Sequence, residues 1–187
     1  MIRSCVVAVI AALLTCACAS SRPLRYYMLS QAPADVPPNR STSTTIDAVQ
    51  VTRVTLPREL DRREIVQRID ANRLHIAEDD RWAAPLDDQI RRALAADLRE
   101  RAGSGHTGQV SVQIDSFMAD RSCGVELRAS WEWREAGSSA PSERRRADIQ
   151  IPSIARDCPV SEVPLRMSEA LAQLADRMLG PATANGD

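Results

Sequence analysis

The stretch VELRASWEW, residues 125–133, alternates without a break. Val125, Leu127, Ala129, Trp131 and Trp133 share one side, while Glu126, Arg128, Ser130 and Glu132 share the other. A period of two is the pattern of a strand with one face buried. Upstream, Val110, Val112 and Ile114 keep the same period. Downstream, past a Gly-, Ser- and Pro-bearing loop at 135–142, Ala147, Ile149 and Ile151 repeat it. Three such segments in succession read as a meander whose single apolar face needs a cover. The flanks supply one. Leu86, Ile90, Leu94 and Leu98 follow Pro85 at a spacing of four, a helical stripe that Gly103-Ser104-Gly105 closes. Met167, Leu171, Leu174 and Met178 form a second stripe between Pro164 and Leu179, ended by Gly180-Pro181.

The first half is more broken. Tyr26-Tyr27-Met28-Leu29 is strand-like, and Gln31 to Thr45 is a polar, proline-bearing loop. Ala48 to Val54 is β-rich and stops at Leu56-Pro57. Ile65–Ile69 and Arg73–Ala77 flank Asp70-Ala71-Asn72, a hairpin signature. Strands, helix, strands, helix is the order of an α+β fold. The expected architecture is a mainly antiparallel β-sheet, with room for mixed pairing, backed by two main α-helices. One domain spans 26–181, with a disordered tail at 182–187 and no internal repeat.

The N-terminus has a separate logic. Arg3 precedes a ten-residue apolar run, Cys5 to Leu14, and then Thr15-Cys16-Ala17-Cys18. Charge, short apolar core and small residues in that order read as an export signal. The run is too short for a transmembrane helix, which needs about 20 apolar residues. A small residue before cysteine is similar to the bacterial lipobox, in which the cysteine is acylated and becomes the new N-terminus. Ala17 favours Cys18 as the lipidated residue. Cys16 has the bulkier Thr15 before it but Leu13 at its third upstream position, and an unlipidated cleaved signal is the bland alternative. Residues 1–17 are thus the signal peptide and 18–25 a lipidated tether. Ala19 and Ser20 follow, with no aspartate to resemble an inner-membrane retention signal, so the periplasmic face of the outer membrane is the expected address. Three acyl chains, each buried methylene adding about 0.8 kcal/mol, would make such an anchor effectively permanent.

Composition excludes several classes. Charge is nearly balanced at −1 and well mixed, which offers no case for nucleic acid. Aromatics make up 3%, so the core must be aliphatic. Of five cysteines, Cys5 and Cys16 leave with the signal and Cys18 takes the lipid. Cys123 and Cys158 remain, and in an oxidising compartment they form one disulfide or stay as two buried thiols. His75 and His106 are too scattered for a metal site with those thiols. Ser104 and His106 lie in no nucleophile motif, so no catalytic residue, metal or cofactor is expected. Glu78-Asp79-Asp80 lacks calcium-loop spacing and reads as a solvated turn. Arg144-Arg145-Arg146 reads as a solvated edge paired across strands with glutamates, with anionic lipid contact as the sharper alternative.

One block carries more than pattern. Leu56-Pro57, Leu60-Asp61-Arg62, Ile65-Val66, Asn72-Arg73-Leu74 and Arg81-Trp82-Ala83-Ala84-Pro85-Leu86 occur in this order, behind Tyr26-Tyr27-Met28-Leu29 and a lipobox. Together they resemble the PqiC/YmbA-type lipoproteins, also described as ABC-type transport auxiliary lipoproteins. The motif-like part covers about residues 26–98, and the second half matches in pattern alone. The resemblance implies the outer-membrane docking piece of a lipid transport system. Its partners would be a periplasm-spanning MCE-domain protein and that protein's inner-membrane permease, with or without an ATPase. A homo-oligomeric ring at the end of the conduit is an analogy of the same kind.

Asp61 and Arg62, on a loop after a proline, are candidate partner contacts, and a capped turn is their structural alternative. Trp82 is a third candidate, weighed against a role in packing the first helix on the sheet. Two other classes remain open: a stand-alone envelope-integrity lipoprotein, and a lipid carrier with an internal apolar cavity.

Overall fold

The computed structural model describes residues 22–30, 49–101, 107–135, 144–154 and 156–180. The signal segment, Cys16, Cys18, the loop at 31–45, Ser104, His106 and the tail at 182–187 lie outside them.

Among the described residues, seven strands form one mixed sheet: β1 Arg25–Tyr27, β2 Gln50–Thr55, β3 Glu64–Arg68, β4 Leu74–Trp82, β5 Gly108–Asp120, β6 Val125–Glu135 and β7 Arg144–Ile151. Their order is β1-β4-β3-β5-β6-β7, with β2 also on β5. The long β5–β6 and β6–β7 ladders and the β3–β4 hairpin are antiparallel. β1 on β4, and β2 and β3 on β5, are parallel. The sheet is therefore α+β as expected, and of the mixed kind.

β5 organises the rest. β2 lies against Gln109–Gln113, while β3 meets only Ala119 and Asp120 farther along. The two short strands thus run in line beside one long strand, and residues 56–63 leave the sheet between them. β5 has its own bulge there, at Asp115. Gly108 opens β5 at φ +153°, where a Cβ would run into the Arg134 carbonyl.

Among the described residues, two helices cover one face: α1 Leu86–Arg101 and α2 Val163–Leu179, the latter entered by a short turn at Val160–Glu162. α1 packs on β2 and on α2, and α2 on β5, β6 and β7. The stripes read from sequence point inward as expected. Leu86, Ile90, Leu94 and Leu98 are buried, as are Met167, Leu171, Leu174 and Met178. They meet Val110, Val112, Ile114, Val125, Leu127, Ala129, Trp131, Ile149 and Ile151 in one core.

The acidic cluster requires a correction. Glu78, Asp79 and Asp80 are not a solvated turn but belong to β4, which runs on to Trp82, and Asp80 is 4% exposed. Arg25 and Tyr27, more than 50 residues upstream, make that burial tolerable.

Candidate functional site

The sheet edge at which the described chain begins is fastened at several levels. β1 adds to β4 in parallel, with Arg25 opposite Asp80 and Tyr27 opposite Trp82. Arg25 donates from Nε and Nη2 to the two Asp80 oxygens, 2.7 Å each, and the Tyr27 hydroxyl donates to Asp80 Oδ1 at 2.9 Å. Burial pushes the Asp80 carboxyl up, but these bonds to its charged form outweigh it and leave it below the usual carboxylate range. Burial and the bond to Asp80 both push the Tyr27 phenol up. Farther along, the Leu29 amide donates to Gln89 Oε1 of α1 at 2.8 Å, and the Ser30 amide donates to Ser168 Oγ of α2 at 3.1 Å. Gln89 and Ser168 sit inside the helix layer, yet both are satisfied: Gln89 Nε2 donates to the Ala84 carbonyl and the Ser168 hydroxyl to that of Pro164. The first described segment of the chain therefore joins sheet, α1 and α2.

The loop at 56–63 begins from Pro57, whose carbonyl accepts from the Leu60 amide at 3.0 Å. Leu60 is buried in the core and pins the loop, so that Asp61, Arg62 and Arg63 point outward. Arg62 pairs with Glu64 at 3.1 Å, its neighbour by two and not Asp61. The Arg63 carbonyl accepts from the Trp82 amide at 2.7 Å. The fold thus brings the three candidate contact residues to one place but presents them differently. Asp61 and Arg62 are exposed, whereas Trp82 is 5% exposed within the core cluster. Trp82 sets the position of the loop's root from below.

At another corner, Cys123 and Cys158 are disulfide-bonded with Cα atoms 5.4 Å apart. Cys123 closes the β5–β6 turn at φ 58°, a left-handed position, and Asp120 Oδ1 caps that turn by accepting from the amides of Ser122 and Gly124. The Ile154 and Cys158 amides donate to the Ser122 and Arg121 carbonyls, while Arg166 of α2 reaches the Pro152 carbonyl. The bridge therefore ties the turn to the linker that delivers α2.

Along β6 and β7 the sheet face away from the helices carries polar side chains. Arg68 binds Glu126 at 2.7 Å, which holds that carboxyl low, and Arg144 pairs with Glu132 as read from sequence. Two shallow grooves of about 110 and 100 Å³ lie there, lined by residues such as Arg53, Gln113, Glu132 and Arg144. A pocket enclosing a drug-sized ligand takes about 300–1,000 Å³. Among the described residues there is no metal-binding cluster, and no helix is long and apolar enough to cross a membrane.

Sequence reasoning missed two buried carboxylates. Asp80 owes its setting to a partner 55 residues away, which no local pattern reveals. Asp97 left a signal: it lies three residues after Leu94 on the apolar stripe, with Arg101 four residues on. It is fully buried and bound to Arg101 at 2.8 Å, and Arg101 also bridges to Asp176 of α2 at 2.9 Å. Asp97 Oδ2 has no hydrogen-bond partner among the described residues, and burial pushes the carboxyl up against the pull of Arg101.

Fold and site together define an α+β body whose N-terminal strand, next to the expected tether, is bound into every layer. The chain belongs to the ABC-type transport auxiliary lipoprotein component family, whose model matches residues 27–179. This makes it a lipoprotein component of a transport system, membrane-anchored in the cell envelope, in a family not defined by an enzymatic activity. Solved structures share the fold. One, an uncharacterized protein, is 17% identical with a TM-score of 0.62, covering 84% of this chain and 97% of its own. Another, a Xanthomonas campestris protein of the DUF330 family, is 16% identical with a TM-score of 0.60, covering 83% of this chain and 92% of its own. Among curated proteins, none matches.

Proposed function

We propose that this protein is the outer-membrane docking subunit of an MCE-type intermembrane lipid transport system, held at the periplasmic face by acylated Cys18. The observation that carries the reading is the fastening of residues 25–30 to Asp80, Gln89 and Ser168 directly after a short tether. From Cys18 to β1 the chain reaches at most about 25 Å, so the body is held near its membrane. A pull on an anchor attached there enters the sheet and both helices together. Family membership supplies the transport setting. The partner is a periplasm-spanning MCE-domain protein working with an inner-membrane permease, and the exposed Asp61–Arg62 loop is the proposed contact.

The test is affinity purification of the acylated protein from mildly crosslinked membranes, with its partners identified by mass spectrometry. Recovery of an MCE-domain protein supports the docking reading. Recovery of cell-wall or unrelated outer-membrane proteins alone favours a stand-alone envelope-integrity role.

A further inference from the structure

We infer that the β1 edge of the sheet lies against the bilayer, with Leu24, Tyr26 and Met28 seated at the boundary between headgroups and acyl chains. The inference rests on the reading of Cys18 as acylated and adds a defined orientation to it.

Two observations carry it. Leu24, Tyr26 and Met28 are 42%, 62% and 62% exposed, although an aliphatic or aromatic side chain gains by leaving water. They are spaced by two and alternate with Arg25 and Tyr27, whose side chains turn to Asp80, so they project together from the other side of the strand.

The tether then selects the occupant. Leu24 stands six residues after Cys18, so it stays within about 20 Å of the acylated sulfur however the chain runs. Leu24, Tyr26 and Met28 are therefore the large apolar side chains held nearest that membrane. Tyrosine, with an apolar ring and a polar tip, is a residue of the membrane–water boundary.

The mature, acylated chain has no free thiol, because Cys18 carries lipid and Cys123 is bonded to Cys158. A single introduced cysteine is therefore labelled uniquely. The experiment places an environment-sensitive fluorophore on Tyr26→Cys, on Met28→Cys and on Asp148→Cys of β7, at the opposite edge. The acylated full chain is reconstituted into phosphatidylethanolamine–phosphatidylglycerol vesicles, and unchanged circular dichroism of each variant verifies its fold. The expected result is several-fold stronger quenching by a headgroup-proximal nitroxide lipid at 26 and 28 than at 148, with a blue-shifted emission. Equal access of aqueous iodide to all three positions, on protein that floats with the vesicles, overturns the orientation and leaves the anchor intact. Shielding from iodide without lipid quenching also overturns it, since a second copy would then cover the edge. Protein that does not float with vesicles overturns the acylation reading and the orientation with it.

Discussion

Arg25 and Asp80 are 55 residues apart in sequence and joined by two hydrogen bonds of 2.7 Å. This pair fixes where the chain enters the domain, because β1 is only three residues long and its ladder alone is weak. Tyr27 completes the clasp on the same carboxylate.

Asp80→Ala leaves the Tyr27 hydroxyl and the Arg25 guanidinium without their acceptor, and the expected loss is about 2 kcal/mol of folding stability. The Asp80 carboxyl lies below its ordinary range in the folded state. Its contribution is therefore present above the unfolded value near ~3.9 and is lost as pH falls through the folded value. Denaturant titrations of parent and variant from neutral to acid pH measure this, and the two curves should converge at the acid end.

Asp97 has the opposite sign. Its carboxyl is raised by burial, with Arg101 pulling it down and Glu100 and Asp176 adding to the rise. Ionisation of Asp97 then costs stability as pH rises from the unfolded value through the folded one. Lowering the pH from neutrality toward 4 should therefore stabilise the parent relative to Asp97→Asn. Unfolding midpoints at several pH values test it, and parallel profiles would contradict it.

The Cys123–Cys158 bridge closes a loop of 35 residues. In the chain-entropy model, Cys123→Ser with Cys158→Ser should cost about 4 kcal/mol. Calorimetry of the double variant measures the cost. The largest gain in hydrogen exchange should fall at 152–162, the linker the bridge holds against the β5–β6 turn.

The parts legible in the sequence were those whose cause is local. Val125 to Trp133 announced a strand because alternation is written every two residues, and Leu86 to Leu98 announced a helix by a spacing of four. Arg144 opposite Glu132 was legible as a type of pairing, since neighbouring strands bring opposite charges together. Asp80 was not, because three acidic residues in a row read as solvated unless Arg25 is known to lie beside them. The parallel pairings of β1, β2 and β3 were hidden for the same reason: no turn links them to their partners. Trp82 showed its packing role by leading into Pro85 and Leu86, whereas the exposure of Asp61 and Arg62 required the burial of Leu60 to be seen.

Asp61→Arg combined with Arg62→Glu reverses the charges of the exposed loop while leaving Leu60 and the Arg63 carbonyl in place. Losing the exposed Arg62–Glu64 pair should lower the melting temperature by a few degrees at most, while the yield of co-purified MCE-domain protein should fall several-fold. Quantitative mass spectrometry beside a thermal melt separates loss of docking from loss of fold.

The most direct measurement places a photo-crosslinking amino acid at position 61 of the acylated protein in its native envelope and identifies what it captures. The docking account predicts a covalent product with an MCE-domain protein, lost when the label is moved to Asp148 on the far edge of the sheet. Capture at position 61 of unrelated outer-membrane proteins alone, or equal capture of an MCE-domain protein from both positions, would contradict it.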